Sequence, residues 1–385
     1  MDKIKLLQFH NTFLLEKKSI KKEKIVNSSK CFVYDSSIEL EKQKVKSNFI
    51  DLDVSSSGFQ IMGLLCGDLK ILRLTNFLKS SKKKRDFYNN FIIQYSKFIL
   101  ENLNNFKFSF MEKKIVVKII EFTFTRKLLK KIIMAFLYGQ EIKNLTLSFF
   151  KNFTQVKKII SQLRFEFYSY SNFQKKLKFS SIVFFVCKNL SKLLNIFFEK
   201  KYSNFFSIKN IIQKLALSKK VQDEGLFLNL GKDRSLVNYK CKKKIRIKKN
   251  ILKKTICTIK QSTVFDKSSA KRRSMPNFIH RIDAELCAIV CENFGYKNQS
   301  IISLHDCFNI FLNNKEDVKT SYFNACVSLI LNPKSDILFD FIKINSDTFF
   351  LEENKSLIKK LKKKRFLIFK KIKKNKLFMS SFILS

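Results

Sequence analysis

Residues 274–310 place the strongest constraint on how this chain folds. They hold two of its three histidines, His280 and His305, each close to an acid. A short, mostly apolar run at 301–304 ends at His305 and Asp306, which predicts a buried strand that delivers a carboxylate to a turn. A carboxylate placed there can bind a metal ion, but an aspartate at a strand end also caps turns. The histidine–aspartate pair alone leaves both interpretations open.

A second candidate acid lies at the end of a strand nearer the start of the chain. Residues 48–53 (NFIDLD) predict a strand, and Asp53 is followed by three serines, Gly58 and an apolar, helix-like run. Serine and glycine allow a ligand to approach the backbone closely and favour a helix N-terminus. Asp51 alternates with Asp53, so both acids could share one face of the strand.

A basic helix is predicted over residues 123–141. Four of its residues recur at every fourth position and therefore share one face, namely Arg126, Lys130, Met134 and Tyr138. Gly139 follows them as a typical helix-ending residue. Taken alone, this pattern is also that of an amphipathic helix whose charged face is solvated.

Together, and in this order, the three blocks resemble those of the single-subunit RNA polymerases of bacteriophages and mitochondria. The first block is DVSSSGFQ, in which Val54 stands where the family usually has Gly or Ala. The second is the helix with its four-residue spacing, and the third is PNFIHRIDA followed by HDCF. The spacing to Gly58 and Gln60 matches the family for Asp53 and not for Asp51.

This resemblance implies an α+β fold that is mostly helical, with a right-hand polymerase palm, a small antiparallel sheet and α-helical fingers. The implied parts are a basic, unassigned segment at 1–47, palm parts at 48–122 and 276–385, and fingers at 123–275. The last palm part ends in a basic tail. Alternating polar and apolar residues also predict a basic β-hairpin at 242–260.

The implied chemistry is template-dependent nucleotidyl transfer with two Mg²⁺ ions. Asp53 and Asp306 are the implied metal ligands, and they form the catalytic set together with Lys130. The implied nucleotide-binding residues are Arg126, Lys130, Tyr138 and His280, the last two recognising the ribose 2′-hydroxyl. The same blocks imply supporting roles for Ser57, Gly58, Gln60, Met134, Gly139 and His305. For Asp283 we expect a structural role.

The net charge of +46, from 77 Lys plus Arg against 31 Asp plus Glu, agrees with a polyanionic partner. The implied partners are a DNA template, an RNA transcript and ribonucleoside triphosphates. A membrane surface would also attract such a charge. The excess of Lys, Phe and Ile matches A/T-rich codons, so charge alone does not decide function. That bias favours an organellar origin: a mitochondrial chromosome or plasmid, with the plastid as the alternative.

The remaining signals concern compartment and membrane. The nine cysteines contain no CxxC pair, which predicts buried free thiols in a reducing compartment rather than a zinc site. The best apolar run, 182–187, is too short to span a membrane, and the N-terminus lacks a signal-peptide core. We therefore expect no membrane partner, and either the protein is made in the compartment where it works or its targeting signal cannot be read from the sequence.

Full-length members of the family carry a further N-terminal part, so the resemblance covers only their C-terminal palm and fingers. A separate N-terminal polypeptide or transcription factor is accordingly an expected partner. The alternative function is a truncated or decayed polymerase that binds nucleic acid without catalysis. A palm-fold DNA polymerase is disfavoured by Tyr138 together with His280, and a lysine-rich membrane-surface protein would leave all three blocks unexplained.

Overall fold

The computed structural model describes residues 49–80, 83–105, 108–154, 161, 179–230, 233–238, 242–251, 254–297, 299–334, 336–374 and 377–384. The predicted basic segment 1–47 lies outside these residues. In the described part the chain is mostly helical with small antiparallel sheets, which confirms the expected α+β class.

The elements follow one another in an order that separates the strands of the central sheet by most of the described chain. In sequence they are β1 Phe49–Asp53, α1 Ser57–Cys66, α2 Leu69–Leu74, α3 Phe87–Asn102, α4 Phe110–Thr123, α5 Arg126–Leu137, α6 Ile142–Thr154, α7 Phe179–Lys201, α8 Ser203–Leu215, α9 Lys219–Glu224, β2 Leu226–Leu230, β3 Asp233–Asn238, β4 Lys242–Ile251, β5 Lys254–Phe265, α10 Lys267–Gly295, β6 Ile301–Leu304, β7 Cys307–Phe311, α11 Lys315–Cys326, α12 Ile337–Asn345 and α13 Thr348–Lys373. A 3₁₀ turn at Leu312–Asn314 precedes α11, and a π-helical turn at Val327–Leu331 extends it.

The central sheet joins two segments that are distant in the sequence, in the antiparallel order β1–β7–β6. Leu52 lies opposite Phe308, and both side chains are buried against the core. The β6–β7 connection is a tight turn made by His305 and Asp306, with His305 in the left-handed region at φ 54°. Because period-2 alternation places the apolar residues inward, the acids of β1 face away from the core.

Helix α1 is a core element that packs against α2, α10 and α13, and every residue from Gly58 to Cys66 is buried. Gly67 ends it in the left-handed conformation at φ 60°. Helix α13 passes directly over this glycine, so a Cβ atom there would lie 2.7 Å from Cβ of Lys364 and 2.9 Å from the backbone nitrogen of Arg365. The side chain of Arg365 is buried beside Asp336 and donates to the carbonyl of Leu65 over 2.9 Å.

Helices α3 and α7 pack through phenylalanine, which explains how a chain without tryptophan builds a large core. Rings from α3 and α7 form a continuous cluster, with Phe91 5.1 Å from both Phe197 and Phe198. Tyr95 is fully buried and donates its hydroxyl hydrogen to the carbonyl of Leu190 over 2.6 Å. These contacts bind α3 to α7 and support the helices around α5.

Helix α7 corrects one expectation from the sequence. Its segment Ser180–Lys201, with mean hydropathy 1.4, is long and apolar enough to cross a membrane by length and composition alone. Such a helix was not predicted because Lys188 and Lys192 interrupt the apolar run. Slightly more than half of the apolar window, 56%, is buried inside the fold, and the helix packs on α4 and α6 as a core helix does.

Two hairpins precede α10. Strands β2 and β3 pair antiparallel, and Asn345 of α12 fixes β2 by exchanging hydrogen bonds with the backbone of Phe227. Strands β4 and β5 also pair antiparallel, at the residues where the sequence alternates between polar and apolar types. Cys66, Cys187, Cys287, Cys291, Cys307 and Cys326 are free thiols, and all of these except Cys307 are buried, as predicted.

Candidate active site

The ends of β1 and β7 bring the two predicted metal ligands together. Asp53 pairs with Cys307 in the sheet register, and the backbone N–H of Val54 donates to the carbonyl of Asp306 over 2.9 Å. Asp53 and Asp306 therefore stand side by side at one edge of the sheet although they lie far apart in the sequence. Asp51 lies two residues back on the same strand and accepts a hydrogen bond from the Asn309 amide over 2.6 Å.

The serine-rich loop after Asp53 is fixed in an unusual backbone conformation. Ser56 adopts the left-handed region at φ 61° and precedes helix α1. The buried amide of Gln60 holds this loop by donating to the carbonyl of Ser55 over 3.0 Å and to that of Thr75 over 2.9 Å. This contact explains why a glutamine belongs to the first block, since its side chain joins the loop to the end of α2.

The C-terminal tail closes the other side of the same loop. Val54 and Leu384 form an antiparallel bridge, and the backbone N–H of Ser55 donates to the carbonyl of Ile383 over 3.2 Å. The Ser55 hydroxyl donates to the carbonyl of Phe382 over 3.0 Å. The tail thus lies against the loop that carries Asp53.

Helix α5 forms the opposite wall of a cleft of about 430 Å³. Thr125 caps its first turn by accepting a hydrogen bond from the backbone N–H of Leu128. The residues that line the cleft include Asp53, Asp306 and Ser57 on one side and Arg126, Lys130 and Met134 on the other. The four-residue spacing seen in the sequence therefore turns two cations towards two carboxylates.

Tyr138 and Gly139 complete the helix end. Tyr138 follows the last turn of α5, and a Cβ atom on Gly58 would lie 3.5 Å from its hydroxyl, so the small residue of α1 makes room for the ring. Gly139 has φ 78°, and a Cβ atom there would lie 2.5 Å from the Gln213 amide nitrogen. Gly139 is therefore favoured by its left-handed backbone conformation.

Tyr138 faces His280 of α10, with ring centroids 5.3 Å apart. Burial, followed by the charge of Asp283, raises the pKa of Tyr138 to about 12. Burial and the neighbouring His305 lower the pKa of His280, while Asp306 acts in the opposite direction. At neutral pH the pair therefore presents a neutral phenol and a largely neutral imidazole.

Asp53 and Asp283 both feel the charge of Asp306 at the turn between β6 and β7. Burial and then the charge of Asp306 raise the pKa of Asp53, and Lys130 and Lys84 oppose the rise. Asp283 lies deeper, and burial together with Asp306 and Asp53 raises its pKa to about 7. Its Oδ1 atom is buried and has no hydrogen-bond partner among the described residues.

A group of residues at the start of α3 was not predicted from the sequence. Asp86 caps that helix and forms an ion pair with Arg126. The Tyr88 hydroxyl donates to Sδ of Met134 over 3.1 Å, and its ring lies beneath Arg126 and Lys130 at 5.7 and 5.5 Å. Asp86 could have been predicted from the sequence as a helix N-cap, because aspartate is preferred at that position. Its contact with α5 depends on the fold.

Lys84 and Arg85 also line the cleft and were not predicted. The buried side chain of Asn76 holds their loop, accepting from the backbone N–H of Arg85 over 2.8 Å and donating to its carbonyl over 2.7 Å. Asn76 adopts φ 58°, a conformation that asparagine tolerates better than most residues. The cleft thus gains two cations from a segment with no recognisable motif.

Within the described residues, no three His, Cys, Asp or Glu side chains are grouped to hold a metal ion. The side-chain donors at the sheet edge are the two carboxylates, which are the hard oxygen ligands that Mg²⁺ prefers. Such a pair fits a divalent cation that takes its remaining ligands from backbone carbonyls, water and substrate phosphates.

Comparison with known proteins gives the family. The family model for DNA-dependent RNA polymerase matches residues 27–376. A probable DNA-directed RNA polymerase of Gelasinospora sp. (strain G114) is 26% identical over 273 residues, covering 69% of this chain and 32% of the relative. A protein of the same description from Podospora anserina is 24% identical over 280 residues, covering 69% and 28%.

A third relative of that description, from Agaricus bitorquis, is 34% identical over 73 residues, covering 19% of this chain and 7% of the relative. The chain spans about a third or less of the length of these curated relatives. The family model, in contrast, covers most of the chain, including all three blocks. The chain therefore belongs to the DNA-dependent RNA polymerase family, in its single-subunit bacteriophage and mitochondrial type.

Proposed function

We propose that this chain supplies the palm and fingers of a DNA-directed RNA polymerase, which extends an RNA transcript on a DNA template. In this proposal residues 48–122 and 276–385 form the palm, and residues 123–275 form the fingers. The observation that carries it is the cleft in which Asp53 and Asp306 face Arg126 and Lys130. Two carboxylates opposite two cations suit a reaction centre between metal ions and a triphosphate.

Asp53 and Asp306 would hold two Mg²⁺ ions, with the Val54 carbonyl as a further oxygen. When bound, these ions lower the pKa of the attacking 3′-hydroxyl and stabilise the leaving pyrophosphate. The like charges at the sheet edge favour a bound cation, because each carboxylate raises the energy of the other in its absence.

Lys130 and Arg126 would bind the incoming ribonucleoside triphosphate. In the reaction the 3′-oxygen forms a bond to the α-phosphorus while the bond from that phosphorus to the bridging oxygen breaks. Lys130 is proposed to donate a proton to the departing pyrophosphate. The ion pair between Arg126 and Asp86 would fix the guanidinium before the substrate arrives.

Tyr138 and His280 are proposed to select the ribose. Their rings, 5.3 Å apart, lie at the end of α5, where the sugar of a triphosphate bound by Lys130 would lie. A hydrogen-bonding site for the 2′-hydroxyl would be left unpaired by a deoxyribonucleotide, which disfavours that substrate. His305 would support Asp306 from the same turn.

The cellular compartment and an additional protein partner are also part of this proposal. We infer a mitochondrial location, on the organellar chromosome or on a plasmid, with the plastid as the alternative. The A/T-rich codon signature of the composition supports it. A separate N-terminal polypeptide or a transcription factor stays a predicted partner.

Extension of an RNA primer on a DNA template with Mg²⁺ tests the proposed activity. We expect ribonucleotide incorporation to fall at least about a thousandfold in Asp53→Ala and in Asp306→Ala, because each removes a metal ligand. Asp51→Asn is the matched control, since Asp51 lies on the same strand face but accepts from Asn309. Its rate should stay near that of the wild type.

Two results would contradict the proposal. One is extension that survives in both alanine variants; the other is wild-type protein that binds the primer–template without extending it. The second result would favour the alternative of a nucleic-acid-binding protein without catalysis. Binding of the primer–template should be measured in each variant, so that loss of chemistry is separated from loss of affinity.

A further inference from the structure

The C-terminal helix α13 carries a strongly basic surface that the proposed reaction does not use. Its inward positions are apolar: Ile358, Leu361 and Ile368 are buried against the core. From Lys355 onwards most of the exposed positions are lysines, and one side of the helix forms what we call the α13 basic face, made of Lys359, Lys362, Lys363, Phe366, Lys370 and Lys373. With 26 residues, α13 is about 39 Å long, so this face is extended.

No acid interrupts this stretch between Lys355 and Lys374. Lys355 pairs with Glu352, and Arg365 pairs with Asp336 in the core. In the described part of the chain, no carboxylate lies within ion-pair distance of the lysines of the α13 basic face. Lysines spaced by four residues repel each other on a helix, and a polyanion along the face would relieve that repulsion.

An apolar groove runs beside these lysines. It has a volume of about 450 Å³, and its lining includes Leu331, Pro333 and Phe366 together with Lys359, Lys362 and Lys363. The Phe366 ring is 36% exposed, and the ammonium group of Lys370 lies 4.5 Å from its centroid. A cationic track with an exposed aromatic ring and an apolar floor is the combination that binds unpaired nucleotides, phosphates on lysine and bases on the ring.

The surface lies outside the catalytic cleft but is connected to it. Helix α1 runs about 15 Å from the catalytic loop to Gly67, where α13 crosses it. After α13 the chain returns to that loop, first pairing Met379 with Leu78 and then Leu384 with Val54. One continuous segment therefore joins the basic face to the backbone beside Asp53.

We propose that the α13 basic face binds single-stranded RNA, namely the product strand of the reaction proposed above. This choice of strand rests on the proposed function, because the RNA 3′ end must lie at Asp53 and Asp306 for chemistry to occur. RNA is also the strand that the reaction makes. Contacts to phosphates and base faces hold it along α13, with no sequence preference.

Neither contact with a membrane nor codon bias accounts for the α13 basic face as well as RNA binding does. A membrane-surface helix needs its apolar side free to enter lipid, but in α13 that side is buried in the core. Codon bias alone would supply asparagine as readily as lysine, because both have A/T-only codons. The outward positions from Lys355 to Lys374 contain no asparagine.

Binding of a short, unstructured RNA to the full chain, without Mg²⁺ or nucleotides, tests the proposal independently of catalysis. Lys359→Gln, Lys363→Gln and Lys370→Gln combined should weaken binding about tenfold and reduce the salt slope by about 2, or roughly 0.7 per lost phosphate contact. Lys143→Gln, Lys188→Gln and Lys192→Gln combined remove the same charge from exposed positions on α6 and α7. This control should change neither quantity by more than a small fraction.

Phe366→Ala separates stacking from charge. It should weaken binding of the RNA about fivefold or more but leave binding of an abasic strand of equal charge unchanged. Equal loss for both strands would overturn the stacking role, and no loss in the triple-lysine variant would overturn the proposal. Preferential binding of the face to anionic lipid vesicles would also overturn it.

The product strand is identified by crosslinking in an assembled primer–template complex. Thiouridine placed in the RNA upstream of the 3′ end should crosslink to peptides of α13, and thiothymidine in the template should not. Crosslinks from the DNA alone would overturn the assignment to RNA. Since the complex is assembled without extension, a catalytically inactive chain still yields a result, so failure of the two proposals can be distinguished.

Discussion

At the scale of single residues, the cleft concentrates acids, and burial makes Asp53 and Asp283 costly to ionise. Asp53 and Asp306 face the cleft, where cations from α5 and the Lys84 loop offset part of their charge. Among the described residues, the charges that act on Asp283 are those of Asp306 and Asp53. Burial and these two acids raise the pKa of Asp283 to about 7. Near neutral pH the Asp283 carboxyl is therefore partly protonated. It lies behind the carboxylates that would bind metal. This position agrees with the expected structural role.

Asp283→Asn is predicted to make the protein more stable above pH 7 in the absence of divalent ions. The folded pKa lies above the unfolded value of 3.8, so stability present at low pH is lost as pH rises towards 7. Asparagine stays neutral and avoids that loss, which amounts to a few kcal/mol at most. Urea unfolding in EDTA at pH 5 and pH 8 measures the difference.

The control for this prediction is Asp317→Asn, because Asp317 is exposed on α11. Its stability should follow the same pH dependence as the wild type. If Asp283→Asn loses stability at pH 8, then the carboxylate is ionised and stabilised in the fold, and the raised pKa is contradicted.

At the scale of elements, the buried ion pair between α12 and α13 locks the basic helix onto the core. Both side chains of Arg365 and Asp336 are only 5% exposed. Asp336 also caps α12 by accepting from the backbone N–H of Phe339 over 3.2 Å. A charge of this kind is tolerated in the core only because its partner is present, so removing one member leaves the other uncompensated.

Asp336→Asn is predicted to lower the unfolding free energy by about 3–5 kcal/mol. The asparagine keeps the helix cap but leaves the buried Arg365 charge without a partner. Asp347→Asn provides a closely matched control. Asp347 caps α13 in the same way, through Phe350, and has no ion pair among the described residues. The unfolding free energies of the two variants, measured by chemical denaturation, should differ by most of that cost. Equal unfolding free energies would show that the ion pair contributes nothing.

At the scale of the whole molecule, a net charge of +46 makes the folded chain repel itself. In the proposed function the nucleic acid is a polyanion that would offset this charge. Stability and affinity should therefore respond to salt in opposite directions. Screening relieves repulsion within the protein, while it weakens attraction to phosphates.

The predicted result is that Tm rises by several degrees between low and high KCl concentration, while affinity for a primer–template falls steeply. Addition of a short RNA at low salt should raise Tm as well, through ligand linkage. Scanning calorimetry and fluorescence anisotropy on the same samples measure both quantities. A Tm that falls with added salt would mean that internal ion pairs outweigh the repulsion among the lysines.

The sequence by itself determined the family and supplied the residues to which the proposed chemistry is assigned. The spacing from Asp53 to Gln60, the four-residue period of α5 and the His–Asp turn are local patterns. Such patterns can be recognised from the sequence alone, because they involve residues that are close along the chain. The small sheet, the helical fingers and the free buried cysteines could also be predicted. The apolar character of α7 was missed because lysines interrupt its apolar run.

Only the tertiary structure decided what surrounds those residues. Pairing of β1 with β7 joins segments from opposite ends of the described chain, so the sequence could not show that Val54 bonds Asp306 or that Asp51 is held by Asn309. The Asp86 ion pair and the place of the tail beside Ser55 have the same origin. Contacts between distant segments depend on how the whole core packs, because each forms only after long loops have closed.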